Sequence, residues 1–194
     1  YNGQLWAPTN AASYIVNGTV YDANYQASAT DVLTIAKADQ AIDFPAIGDQ
    51  LTTNLLGLGA TAGSGLSVGF RVESGPASIA DSTNLSFTGA GTVTLIASQA
   101  GDSNWKPAPE VTNAFQVYKA PAQVSLHHLR QSFDGTPRAV TATTLPPGLG
   151  MDITYDGDAL APTNYGFFAI TGTVNDVMYG GAQTGTLVVI AVHF

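Results

Sequence analysis

Residues 1 to 36 read YNGQLWAPTNAASYIVNGTVYDANYQASATDVLTIA, and residues 155 to 190 read YDGDALAPTNYGFFAITGTVNDVMYGGAQTGTLVVI. Laid over each other at an offset of 154 without a gap, the two agree at 13 of 36 positions, which marks an internal repeat. Shared residues include Tyr1/Tyr155, Gly3/Gly157, Ala7-Pro8-Thr9-Asn10 against Ala161-Pro162-Thr163-Asn164, Gly18-Thr19-Val20 against Gly172-Thr173-Val174, and Tyr25/Tyr179. Tyr14, Val16 and Val20 alternate with Ile15, Asn17 and Thr19, and Phe168, Ile170 and Val174 alternate with Ala169, Thr171 and Thr173. This period of two predicts a half-buried strand in each repeat. Tyr-Asn-Gly and Tyr-Asp-Gly before them tolerate positive φ, and Pro8 and Pro162 cannot donate to a central ladder, so these segments are expected as loops.

Working outward, Leu33-Thr-Ile35-Ala-Lys37-Ala38 resembles Phe115-Gln-Val117-Tyr-Lys119-Ala120: two strand patterns that each run into Lys-Ala. Module boundaries are expected there, giving residues 1–36, 37–119 and 120–194. The middle module carries strand patterns at Ile42 to Phe44, Val68 to Val72, Leu85 to Phe87, Val93 to Ala97 and Phe115 to Val117, parted by Gly and Ser clusters. The last begins with Val124 to Leu129, turns at Phe133-Asp-Gly-Thr-Pro137, continues with Ala139 to Thr144 and breaks at Pro146-Pro147-Gly148 before the repeat follows. Nothing before Tyr1 corresponds to residues 120–154, so residues 1–36 read as the C-terminal half of a module. An open half-sandwich exposes apolar side chains and strand edges and invites another chain. Two explanations are open: the 194 residues are a window from a longer repeat protein, or another molecule completes the half.

Composition agrees with strands. There are 21 Gly and only 6 Lys plus Arg, so few long straight side chains favour helices. The expected class is all-β, as tandem small β-sandwich modules, immunoglobulin-like or β-grasp-like. A net charge of −8 repels phosphate backbones and anionic lipid surfaces, so nucleic acid is not an expected partner. The chain has no Cys, so each module must be held by its own apolar core. The longest purely apolar run, Leu187 to Val192, is far short of the roughly 20 residues of a spanning helix.

At its turns and junctions the chain resembles bacterial modular surface proteins in which two module types alternate. Residues 1–36 and 120–190 resemble the MBG domain, on the cues Phe133 to Pro137, Tyr155-Asp156-Gly157, Ala161 to Asn164, Gly172 to Val174 and Tyr179. The middle segment resembles a bacterial immunoglobulin-like repeat, on Lys37 to Phe44, Ser64 to Val68, Phe87 to Val93 and Ala97 to Trp105. The resemblance implies very large secreted or surface-attached bacterial proteins acting in adhesion or as spacers. It brings no catalytic residues and no cofactor.

Candidate chemistry is sparse. His127 and His128 are adjacent in an expected strand and point to opposite faces, so they do not readily share a metal. Asp152, Asp156 and Asp158 gather at a turn with spacing that could hold Ca²⁺ through oxygen, although Asp-Gly is also ordinary hairpin chemistry. Asp39, Asp43 and Asp49 pose the same choice. Trp105, beside Asp102 and Asn104, is either a platform for a sugar ring or an apolar cap on the middle sandwich. With three His and no Cys, a nucleophile–base–orienter set has few members, and no Gly-x-Ser-x-Gly elbow occurs. The chain is therefore not expected to be an enzyme.

Three functional readings follow. The first is an extracellular structural or adhesion segment, a stalk or spacer whose partners are adjacent repeat modules and a surface glycan or protein. The second is a self-assembling filament subunit whose apolar tail, with Leu187, Val189, Ala191, Val192 and Phe194, fills the open edge of the next molecule's residues 1–36. The third is a carbohydrate-binding accessory module using Trp105.

Overall fold

The computed structural model describes residues 1–191, which form strands, turns and loops and no helix. The first segment is one antiparallel hairpin, β1 (Ala12–Thr19) with β2 (Ser28–Ile35), in the register Ala12↔Ile35 to Thr19↔Ser28. The strands that follow are short: β3 (Ile42–Asp43), β4 (Gln50–Leu51), β5 (Leu55–Gly57), β6 (Thr61–Ala62), β7 (Gly69–Ser74), β8 (Ala77–Ala80) and β9 (Asn84–Phe87). Two long ones close this part, β10 (Gly91–Ser98) and β11 (Val111–Tyr118). They form a four-stranded sheet in the order β4-β11-β10-β7, with β5-β9-β8 and β3-β6 as separate smaller sheets.

Beyond Lys119 come β12 (Ala120–Pro121), β13 (Gln123–His127), β14 (Arg130–Ser132), β15 (Thr141–Leu145), β16 (Met151–Tyr155), β17 (Gly166–Val174), β18 (Tyr179–Gly180) and β19 (Ala182–Ile190). A sheet β14-β19-β17-β16 lies with the pair β13-β15 and the short pair β12-β18. The all-β sandwich class is thus what forms. The expected strands at Leu85 to Phe87, Val93 to Ala97 and Phe115 to Val117 appear as β9, β10 and β11, while β4, β6 and β12 are two-residue pairings too short for a periodic pattern to reveal.

Residue contacts divide the chain into two compact units. The first comprises Tyr1–Ala46, Leu58–Glu73 and Leu95–Asn113, with Ile42, Phe44, Leu58, Leu95 and Ala97 buried and Phe44 tilted against Phe70 at 5.3 Å between ring centroids. The second comprises Ile47–Gly57, Ser74–Thr94 and Ala114–Phe194. In it Leu85, Phe87, Val93, Phe115 and Val117 are buried, with Phe87 meeting Phe115 edge-on, and Val140, Tyr155, Ile170, Leu187 and Val189 form a core cluster. Alternation accounts for the cores. Along β11 the pattern buries Asn113, Phe115 and Val117 and exposes the residues between them, as a sheet with one covered face requires.

Candidate functional site

The two sequence repeats build the same local structure. Asn2 and Asp156 both adopt positive φ, 45° and 51°, followed by Gly3 and Gly157 at 83° and 95°. In both, the turn residue donates its backbone N–H across the hairpin and its side chain accepts in return. Asn2 N bonds Ile15 O at 2.9 Å and Ile15 N bonds Asn2 Oδ1 at 2.8 Å; Asp156 N bonds Ala169 O at 2.8 Å and Ala169 N bonds Asp156 Oδ1 at 2.7 Å. A shallow concavity beside each turn is lined by matching residues, Tyr1, Trp6, Pro8, Asn10 and Tyr14 in one and Tyr155, Leu160, Pro162, Asn164 and Phe168 in the other.

What differs is cover. In the closing repeat Ile170, Leu187 and Val189 are 1%, 0% and 3% exposed, packed with Leu126, Leu129, Val140 and Ile153 from residues 120–154. Tyr155 is buried there and its hydroxyl accepts the backbone N–H of Val140 at 2.8 Å. In the opening repeat the same positions are Val16, Leu33 and Ile35; Leu33 is 38% exposed and the other two are half-buried. Leu5, Trp6, Tyr21 and Tyr25 are also exposed, but so is Leu160, the counterpart of Trp6, at 83%; the difference in cover rests on Val16, Leu33 and Ile35 against Ile170, Leu187 and Val189, and on Tyr25 against the half-buried Tyr179.

A second motif ties leading strands to loops, and it occurs twice in full. At Lys37-Ala38, Lys37 Nζ donates to Asp102 O at 2.6 Å, Ala38 N donates to Asn104 O at 2.8 Å, and Ala38 pairs parallel with Trp105. The loop is shaped by Asp102 Oδ1, which accepts from Asn104 N at 2.8 Å and Trp105 N at 2.9 Å. At Lys119-Ala120, Lys119 Nζ donates to Asp176 O at 2.6 Å, Ala120 N donates to Met178 O at 2.9 Å, and Ala120 pairs parallel with Tyr179. Asp176 Oδ1 accepts from Met178 N and Tyr179 N at 2.8 and 2.9 Å. Thr52 strengthens the second clasp: its hydroxyl donates to Met178 O and accepts from Ala120 N at 3.0 Å. A short polar side chain bonding its own backbone two or three residues on is what organises such loops.

The opening repeat has the same loop. Asp22-Ala-Asn-Tyr25 aligns with Asp176-Val-Met-Tyr179, and Asp22 Oδ1 accepts from Asn24 N at 2.7 Å. Tyr25 stands 74% exposed, whereas Tyr179 and Trp105 are half-buried. In the sequence the loop half of the clasp shows as an Asp with an aromatic residue three positions on, at Asp22/Tyr25, Asp102/Trp105 and Asp176/Tyr179, a spacing that Asp152/Tyr155 shares within β16.

Other expected site residues fall as follows. Asp156 shapes its turn, Asp152 lies exposed on β16, and among the described residues no group of three or more His, Asp or Glu is arranged to hold a metal ion. Asp39 pairs with Lys106 at 2.8 Å, and Asp49 Oδ1 accepts from Gln116 N at 3.0 Å. Trp105 is half-buried with its backbone in the clasp. β13 ends at His127, and His128 turns out of it with φ 62°, so the two imidazoles are not consecutive strand residues as expected; they meet Thr143 and Thr141 hydroxyls, each at 2.8 Å. Leu187 and Val189 are core residues of β19, which is flanked by β14 and β17. Ala191 is half-buried beyond the end of β19, and Val192, His193 and Phe194 lie outside the described residues.

A family model described as the MBG domain matches residues 1–39 and 122–192, more than half of the chain. No curated protein matches. Among solved structures, mouse cadherin-23 repeats EC22-24 are similar at 15% identity over 95% of this chain and 76% of that one, with a TM-score of 0.34. Mouse protocadherin-24 EC1-3 is similar at 11% identity over 93% and 80%, TM-score 0.34. Drosophila N-cadherin EC1-4 is similar at 12% identity over 95% and 59%, TM-score 0.35.

Proposed function

The chain belongs to the MBG domain family, and on that premise we propose that it is an extracellular structural repeat segment of a bacterial surface or secreted protein, a stalk or spacer. In this reading the modules change at Lys37 and Lys119, an immunoglobulin-like unit stands between MBG-type units, and no catalysis is involved.

The observation that carries the reading is the direction of strand pairing near the module ends. β14 runs parallel to β19, Arg130↔Val188 to Ser132↔Ile190, and β4 runs parallel to β11, Gln50↔Val117 and Leu51↔Tyr118. In each case an early strand lies beside the last strand of its proposed module. Tension on the two ends pulls parallel neighbours in opposite directions, so their evenly spaced, slanted hydrogen bonds are loaded together in shear instead of opening one at a time. Such an arrangement suits a segment that transmits force.

Single-molecule extension of the chain tests it, with Gln131→Pro, which removes a ladder donor from β14. Gln131 Nε2 also donates to His128 O and Ala139 O, both at 2.9 Å, so Gln131→Ala serves as the side-chain control. The expected outcome is discrete rupture events, one of them weakened by Gln131→Pro beyond the effect of Gln131→Ala. Featureless extension at low force would overturn the stalk reading. So would a hydrolytic or transferase activity abolished by one polar substitution.

A further inference from the structure

We propose that the concavity lined by Trp6 is a binding site for a neutral sugar ring, one pyranose of a glycan chain. Every residue that lines it has its counterpart, at the offset of 154, in the concavity beside Tyr155. The second copy shows that a complete module leaves this place open: with Leu126, Leu129 and Val140 packed on the closing repeat, Leu160 still stands 83% exposed. Trp6, 71% exposed at the same position, is therefore open by its place in the repeat, whatever covers the face of Val16 and Leu33.

The two copies differ in chemistry where they agree in place. Trp6 stands for Leu160, Tyr14 for Phe168, Asn2 for Asp156 and Gln4 for Asp158, so an aliphatic and acidic wall becomes an aromatic and amide one. An indole open to water has a flat apolar face and one N–H donor, and the C–H face and hydroxyl rim of a pyranose meet both. Gln4 and Asn10 add amides and Thr9 a hydroxyl, groups that donate to and accept from sugar hydroxyls. Among the described residues no Lys or Arg side chain lines the concavity, so a carboxylated or sulfated sugar finds no counter-charge there, on a chain of net charge −8. Its volume, about 270 Å³, lies just below the roughly 300–1,000 Å³ of clefts that enclose drug-sized ligands, which suits a single ring. The wall is also held in place. Tyr14 donates its hydroxyl to Asn10 O at 2.9 Å, a bond that Phe168 cannot make; Asn104 Nδ2 donates to Asn10 Oδ1 at 3.3 Å, and Ala11 N donates to Asn104 Oδ1 at 2.8 Å. Little then has to be ordered on binding. The inference concerns this concavity and does not depend on the stalk reading, which force measurement tests separately.

The chain carries two tryptophans, so the two indole N–H resonances of the full chain report on the site, and Trp6→Leu assigns them. That variant places the residue of the closing repeat at an exposed position, which folding tolerates. The probes are neutral hexasaccharides of mannose, glucose and galactose, with an oligogalacturonate as the acidic control and a polyproline peptide as the ligand that aromatic-lined grooves otherwise take. The expected result is a saturable shift of the Trp6 indole N–H and of the Gln4 and Asn10 side-chain amides with at least one neutral hexasaccharide, at a Kd of about 1 mM, while the Trp105 indole stays put. Trp6→Leu should weaken binding at least about tenfold, Trp6→Phe should retain part of it, and Tyr14→Phe should weaken it several-fold by releasing the Asn10 loop. No saturable shift with any neutral hexasaccharide at about ten times that concentration overturns the proposal. Tighter binding of the oligogalacturonate overturns it as well, as does binding of the polyproline peptide alone, or a glycan shift at Trp105 that survives Trp6→Leu.

Discussion

Arg71 reaches Glu110 with two guanidinium nitrogens, at 2.6 and 3.0 Å, and Glu73 with a third at 3.3 Å. The hydrogen bonds from Arg71 hold the Glu110 carboxyl below its ordinary value, and partial desolvation opposes them. A folded-state value below the unfolded one means the unfolded chain takes up the proton first as pH falls. The contribution is therefore complete above the ordinary carboxylate range, near pH 4.3, and fades as pH drops through the lowered folded value. Chemical denaturation of Glu110→Gln against the parent should show a small difference at neutral pH that closes in acid; both side chains are about half exposed, so the effect stays small. A larger single-residue effect is expected at Tyr155. Its phenylalanine variant leaves the buried Val140 N–H without its acceptor, and thermal or denaturant melting should register a loss of about 1–3 kcal/mol. Tyr1→Phe, at the matching open position, should cost far less.

The repeated hairpin is a controlled comparison at the scale of the element, because Leu33 and Leu187 are the same residue at the same register, 38% and 0% exposed. Leu187→Ala should cost about 2–5 kcal/mol through lost burial and the cavity left behind. Leu33→Ala should stay within about 0.5 kcal/mol, as surface changes do. Equal losses in urea titrations of the two variants would mean the opening hairpin is covered in solution. A close approach beside the Lys119 clasp gives another test. A Cβ at Gly181 would run into the Ala122 carbonyl, so Gly181→Ala should lower stability by about 1–3 kcal/mol and loosen exchange at residues 120–122. Strand identity is legible in β10, β11 and β17, where alternation runs long, but β16 is a strand that the sequence reading missed, since Asp152 was expected with Asp156 and Asp158 at a turn. The two-residue β4 and β12 are not legible either, because pairing with β11 and β18 defines them rather than any pattern of their own.

For the whole molecule, protection should be uneven. Amide exchange is expected to be fastest over residues 12–35, whose hydrogen bonds sit under little apolar cover, and slowest along β10, the second half of β17 and residues 187–189 of β19, which carry the buried side chains. Uniform protection would contradict the open hairpin. The net charge of −8 is spread over a surface with few cations, and association with anionic polymers or vesicles should be undetectable at physiological salt.

Sequence alone determined the strand content and the repeat, because alternation, turn residues and self-similarity are local or counted along the chain. It also picked out Lys-Ala at residues 37–38 and 119–120 as a repeated element. Only the tertiary structure decided what Lys-Ala does, which of two identical leucines is buried, and how the early strands pair with the last ones. Those outcomes depend on which distant segments arrive to cover a face or accept a hydrogen bond, and residues 12–35 carry nearly the pattern of 166–189 while lacking the neighbours that give it an interior.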